Sequence, residues 1–155
     1  MPANKPIQRG SWFFEIDQPL YMPPNDPREQ NMKFQGAHLD PKDVHLRVDW
    51  QTLRRLPLSG GVVFNFKALF TSITEFRDEP YIPSLVLKLL TESQENILKY
   101  KGTWHIEHVV IPLMAQYERE QIEDGLIPSA WAHHTLDEAP FYPGWEDKWH
   151  RRQGF

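Results

Sequence analysis

The chain has 155 residues, 40% of them hydrophobic and 25% charged, with a net charge of −4, the proportions of one globular domain rather than of a disordered chain. That acidic balance excludes a general nucleic-acid binder, which needs a basic surface against phosphates. The absence of cysteine excludes disulfides, thiolate-ligated haem, iron–sulfur centres and cysteine zinc sites within the chain.

No apolar run approaches the roughly 18 residues that cross a bilayer, and Met1 to Pro6 lack a signal-peptide core, so a cytoplasmic protein without a membrane segment is expected. Ser11 to Asp17 (Ser-Trp-Phe-Phe-Glu-Ile-Asp) reads as a first strand, stopped by Gln18-Pro19. The segment from Tyr21 to Pro27 carries three prolines and cannot be regular structure. A loop is expected from there to about Asp43, passing Gly36 and Asp40-Pro41, and loops of that length in compact domains are more often functional than idle.

The clearest pattern follows. Val44, Leu46, Val48, Trp50 and Thr52 alternate with His45, Arg47, Asp49 and Gln51, which predicts a half-buried strand with one apolar and one polar row. Leu53 to Gly61 reads as the turn, and Val62 to Phe70 as a second strand, with Val62, Phe64, Phe66, Ala68 and Phe70 in one row and Asn65 and Lys67 in the other. So short a connection favours an antiparallel hairpin, with Asn65 and Lys67 expected beside the polar row.

After Thr74 the period becomes helical. Pro83 suits a first helical turn, and Leu85, Val86, Leu89 and Leu90 repeat on one face. Thr91-x-x-Gln94 resembles a capping box that restarts a helix through Ile97, Leu98 and Tyr100, ended by Gly102. Thr103 caps a third helix from about Trp104 to Asp124, with a kink expected at Pro112 and a stop at Gly125. Residues 127–155 hold Trp131, Phe141, Tyr142, Trp145 and Trp149 without a period, and read as an irregular strap over the domain or a partner. The expected fold is α+β: an antiparallel sheet packed with two to three helices over residues 1–126, followed by that aromatic tail.

Four constellations could carry chemistry. In the polar row, Arg47 offers a planar fork for anions, Asp49 can accept a proton or hold a cationic amine, and Gln51 extends the row; the alternative is a solvated face with cross-strand ion pairs. His105 and His108, at i and i+3 of a helix, could share a metal or supply one haem ligand, although surface or core-edge histidines are commoner and no third ligand is marked. Arg54 and Arg55, beside Gly60-Gly61, could grip a propionate, phosphate or carboxylate, or simply solubilise a turn. His133-His134, adjacent in the tail, read as solvated. No P-loop, dinucleotide fingerprint, nucleophile elbow or pair of catalytic carboxylates is present.

The run Leu46-Arg47-Val48-Asp49-Trp50-Gln51-Thr52-Leu53-Arg54-Arg55-Leu56-Pro57-Leu58-Ser59-Gly60-Gly61-Val62-Val63-Phe64 resembles the haem-dependent oxidative N-demethylase α-subunit family of bacteria and fungi. Lys99-Tyr100-Lys101-Gly102 and Ser11-Trp12 with Asp17-x-Pro19 match it more loosely, and Pro140-Phe141-Tyr142-Pro143-Gly144-Trp145 is like fungal members. The resemblance implies a PAS-like domain holding haem b. It implies oxygen-dependent oxidation of a small secondary amine with release of formaldehyde, and electrons drawn through a partner with flavin and iron–sulfur centres.

Residue by residue, the resemblance carries Arg47, Asp49 and Gln51 as candidate catalytic groups and Arg54 and Arg55 as candidate cofactor contacts. His105 and His108 are the candidate iron ligands within the chain. The chain departs from the family where Asp49-Trp50 stands for Glu-Arg: the carboxylate survives and the arginine does not. Family members run to about twice this length, so the resemblance implies a C-terminal half, with an axial histidine expected in the other half and a homodimer or second chain completing the domain. The alternatives are a haem-free non-catalytic interaction module and a small haem-free enzyme pairing Asp49 with a histidine.

Overall fold

A computed structural model describes residues 2–131 together with 147, 148, 150, 151 and 154. The expectations placed on His133, His134, Phe141, Tyr142, Trp145 and Trp149 lie outside the described residues. The chain forms two compact units: Met1–Thr74 with Gln94–Val109, and Glu75–Ser93 with Val110–Phe155.

The first unit is built on an antiparallel sheet of β1 (Ile7–Ile16), β2 (Val44–Arg55) and β3 (Val62–Ser72), ordered β1-β2-β3. The architecture is therefore α+β, as the two periodicities predict. β1 starts four residues earlier than the sequence suggested, because Ile7 to Gly10 complete a ladder with β2. β2 runs on to Arg55, since Leu53, Arg54 and Arg55 pair with Phe64, Val63 and Val62, and the turn shrinks to 56–61. Gly60 makes that turn in the left-handed region at φ 70°, where a side chain would be strained.

The loop after β1 is more ordered than its prolines suggested. Asp17 (φ 63°) turns the chain out of β1, and its N–H bonds to Asp43 O at 2.8 Å, closing the loop at its neck. Inside it, Asp26 caps a short helix α1 (Pro27–Asn31), and Asp40 caps a 3₁₀ turn at Pro41–Asp43. Both caps precede proline at the first helical position, so the prolines start the turns rather than only preventing structure. Asp26 also grips Arg28 in a fork at 2.8 and 2.6 Å, which holds its carboxyl down to about 2.

α3 (Glu95–Lys101) ends on Gly102 in the left-handed conformation. The expected capping box is absent: Thr91 sits inside the preceding helix, bonding Leu87 O at 2.8 Å, and Gln94 caps α3 without a side-chain bond. α4 (Trp104–Glu123) continues through Pro112 and stops before Gly125 at φ 69°. The unit buries Phe14, Val44, Ile73 and Ile106.

The second unit contains α2 (Ile82–Glu92), with Pro83 in its first turn, and the later part of α4. It buries Phe76, Val86, Leu90, Val110, Met114, Tyr117 and Ile127. Gln121, 1% exposed, latches the segment before α2: its amide donates to Arg77 O and Glu79 O at 2.9 and 3.0 Å, and its oxygen accepts from Tyr81 N at 3.1 Å. That satisfies backbone groups around Tyr81, which is itself left-handed at φ 73°.

Candidate functional site

Register decides which side chains share a face, because residues opposite each other in an antiparallel pair point the same way. His45, Arg47, Asp49 and Gln51 face the same side as Glu15, Phe13, Ser11 and Arg9 of β1 and as Ser72, Phe70, Ala68 and Phe66 of β3. Asn65 and Lys67 pair with Thr52 and Trp50, on the other side. Neither meets Asp49, contrary to expectation: the odd-numbered row of β2 lies opposite the even-numbered row of β3. The polar row is thus flanked by phenylalanines, and neither face of the hairpin is wholly polar or wholly apolar.

Arg47 and Asp49 form the centre. Arg47 Nε donates to Asp49 Oδ1 at 2.8 Å, and Nη2 reaches Oδ2 at 3.4 Å. Arg47 Nη1 donates to Pro19 O at 3.1 Å, and its guanidinium carbon lies 5.6 Å from the Phe70 ring centroid. The two side chains are 15% and 13% exposed, so this ion pair is sheltered, unlike a solvated cross-strand pair. Because Oδ1 carries the short bond, Oδ2 keeps capacity to accept from a further donor.

The closed loop covers part of this face. Gln18 lies 3.1 Å from His45 Nε2, and His45 Nδ1 donates to Asp43 O at 3.1 Å. A carbonyl only accepts, so Nδ1 carries the proton and Nε2 receives the Gln18 amide. Both ring nitrogens are thereby occupied and Asp49 is paired with arginine, so no Asp49–histidine hydrogen bond forms among the described residues. At the other end of the row, Gln51 accepts from Arg9 Nε at 2.6 Å near the surface.

Two titratable groups border the centre, and sequence reading assigned neither a role. Glu15, 9% exposed, has its carboxyl pushed up by burial, with Arg47 opposing and Asp49 adding to the rise. Lys101, at the end of α3, donates to Ser11 Oγ at 3.2 Å, and Ser11 pairs directly with Asp49. Its ammonium lies 4.5, 5.0 and 5.6 Å from the ring centroids of Phe13, Trp12 and Tyr100. The rings favour the charged form, and lost hydration opposes it. The net effect of burial is downward. The signal in the sequence was the aromatic triplet at positions 12–14 followed by a lone lysine after Tyr100, but only the approach of α3 to β1 brings them together.

The two histidines near the start of α4 are each anchored through one ring nitrogen. His105 Nδ1 donates to Gly102 O at 2.8 Å, and His108 Nε2 donates to Gly36 O at 2.9 Å. The other nitrogens, His105 Nε2 and His108 Nδ1, are buried without any hydrogen-bond partner. His105 is 1% exposed, and burial pushes its imidazolium down. Arg54 and Arg55 stand elsewhere. They are exposed at the far end of β2, five and six residues beyond Asp49, or roughly 17–20 Å along the strand. Arg55 lies against Gly60, where an added Cβ would meet its Nη2 at 3.5 Å. No hydrogen bond or ring contact among the described residues joins these arginines to either histidine.

A family model for the haem-dependent oxidative N-demethylase, alpha subunit-like, matches residues 1–111. The chain belongs to this family. The match takes in the whole sheet, the closed loop, α2, α3 and both histidines of α4. No curated protein matches the chain.

A haem-dependent family asks whether these residues suit haem. No group of three or more metal-binding side chains is clustered among the described residues, but haem needs only an axial donor from the protein. His105 suits that part: its N–H is spent on a backbone carbonyl and its lone pair at Nε2 is unused, the arrangement that fixes a ligating imidazole. Arg54 and Arg55 lie at the exposed far end of β2. Among the described residues no helix is long and apolar enough to cross a membrane.

Proposed function

We propose that this chain acts as an oxidative N-demethylase of the fungal type, corresponding to the C-terminal half of the family's domain, with a small methylated amine as substrate and the Arg47–Asp49 face as its receptor. The observation that carries this reading is the sheltered Arg47–Asp49 fork lying inside the segment that matches the family.

Asp49 binds the ammonium of the amine through Oδ2, the oxygen Arg47 leaves less engaged. Arg47 holds Asp49 in place and is itself fixed by Pro19 O and Phe70. The flanking Phe70, opposite Arg47, gives the N-methyl groups an apolar surface. Glu15, with its carboxyl raised by burial, is suited to exchange a proton with the amine on this face. His105 Nε2 would hold the haem iron, and the haem would supply dioxygen-dependent oxidation of the N-methyl carbon, with electrons from a separate partner bearing flavin and iron–sulfur centres.

The test is a haemin titration followed in the visible spectrum. A Soret band that shifts with imidazole is expected, lost in His105→Ala and retained in His108→Ala. Dimethylamine perturbs that band in the wild type, and Asp49→Asn weakens the perturbation about tenfold, as expected when a hydrogen-bonded charge worth about 1.4 kcal/mol is removed. If the wild type gives no band at any stoichiometry, haem binding by this chain is refuted.

A second reading, an interaction module or homodimer, is favoured by one feature. Val62, Val63, Phe64 and Phe66 stand about half exposed toward the tip of the hairpin, on both faces of β3, and Trp50 of β2 is similarly exposed. Exposed apolar edge strands invite pairing with another chain. The molecular mass in solution, measured across concentration, separates a dimer from a monomer.

A further inference from the structure

We propose that the tip of the β2–β3 hairpin is a membrane-docking element that seats on an anionic lipid surface. The first observation is charge. Residues 1–10 and 50–74 contain Lys5, Arg9, Arg54, Arg55 and Lys67 and no carboxylate, in a chain whose net charge is −4. Five cations without an acid leave −9 for the remaining residues, so the hairpin and the start of β1 are the basic part of an acidic protein. All five cations are exposed. A negatively charged leaflet attracts such a cluster and turns the hairpin toward it.

The second observation is where the apolar groups lie. Leu58, in the turn, is 101% exposed, and Leu56 beside it is exposed too. Behind the turn, Val62, Phe64 and Phe66 share one face with Arg55, and Val63 and Trp50 share the other with Arg54 and Lys67. A protein groove covers one face of a ribbon, and a pairing strand covers one edge. A lipid interface surrounds a tip on every side, and the apolar groups here are distributed in that way. The depth fits as well. Leu53 and Phe64 pair two rungs behind Arg55 and Val62, or roughly 7 Å, within the roughly 5–10 Å to which interfacial elements sink. Arginine stems and the Trp50 ring suit that level, because each joins an apolar body to a polar end.

The turn is also built to leave bulk water. Leu56 N donates to Gly61 O at 2.8 Å, Gly60 N to Leu56 O at 3.0 Å and Gly61 N to Ser59 Oγ at 3.2 Å. Backbone donors that are already paired lose little on entering a poorly hydrated layer. The inference needs neither haem nor an amine at the Arg47–Asp49 face.

The experiment is sedimentation of the whole chain with vesicles of equal parts phosphatidylserine and phosphatidylcholine, beside vesicles of phosphatidylcholine alone. Binding to the first and not the second is expected, and high salt should release it. Arg54→Gln combined with Arg55→Gln should lower the partition coefficient about 25-fold, near fivefold for each cation lost at the surface. Leu58→Ser should lower it about tenfold, and its full exposure leaves folding unaffected. The chain has no cysteine, so an environment-sensitive dye on Leu58→Cys reads the turn alone, and its emission should shift to the blue on phosphatidylserine vesicles. Absence of binding to those vesicles overturns the proposal. Equal binding by the wild type and Leu58→Ser, or equal binding to soluble polyglutamate, also overturns it and leaves only a surface for acidic groups in general. A dye already shifted in a dimer without lipid would assign the tip to a second copy of this chain, and overturns it as well. Vesicle binding alongside a failed haemin titration would refute the haem reading and leave this one standing.

Discussion

The two ends of the β2–β3 ladder share one hydrogen-bonding pattern and have opposite surroundings. At the base, Val44 and His45 are buried, Arg47 and Asp49 are sheltered, and the closed loop from Asp17 to Asp43 supplies Pro19 O and Gln18 as partners. At the tip, five residues further along the same strand, Arg54 and Arg55 point into solvent and Val62, Val63, Phe64 and Phe66 are about half exposed. Both ends carry arginine within the run that resembles the family. The difference lies in what covers them, so a motif that looks uniform along the chain divides into a sheltered ion pair and an uncovered surface.

The largest expected effect sharpens that contrast. Arg47→Ala leaves the carboxylate of Asp49 sheltered and without its counter-ion, and should cost about 3 kcal/mol of stability. Arg55→Ala, at the exposed tip, should stay within about 0.5 kcal/mol. Urea unfolding of the two variants side by side measures both, and equal losses would break the distinction between base and tip. Replacing the pair together, Arg47→Leu with Asp49→Leu, should recover much of the loss, because the cost comes from the orphaned charge.

A smaller effect concerns Glu15, which neighbours the base. Its folded carboxyl is raised above the ordinary value of 4.5, chiefly by burial. The folded state therefore holds the proton more tightly than the unfolded chain. That contribution is fully present below the unfolded value and is lost as pH rises through the raised folded value. Glu15→Gln should accordingly raise the melting temperature at pH 7, and the gain should vanish on acidification below about 4.5. A gain that persisted unchanged in acid would mean that packing, not ionisation, was responsible. The smallest effect belongs to the tip: Phe66→Thr should change monomer stability by less than about 0.5 kcal/mol while lowering dye binding to exposed apolar surface.

Periodicity alone located β2 and the helices after Thr74, since alternation at positions 44–52 and helical repeats beyond Thr74 each have one simple geometric reading. It also singled out Arg47 and Asp49 as neighbours, because residues two apart on a strand must share a face. Gly102 and Gly125 were legible as helix stops for an equally local reason: both adopt the left-handed region that glycine enters most easily.

Pairing was not legible. A shift of one residue exchanges every side chain between faces, and only the turn at 56–61 places Phe66, Ala68 and Phe70, rather than Asn65 and Lys67, beside the polar row. Nor could the sequence show that Lys101 comes to rest among rings from positions 12, 13 and 100, or that the unused nitrogens of His105 and His108 are buried. The strand pattern and the family run determined where to look. Tertiary contacts across long stretches of chain decided which groups meet there, because burial, not spacing, sets how each charge and lone pair behaves.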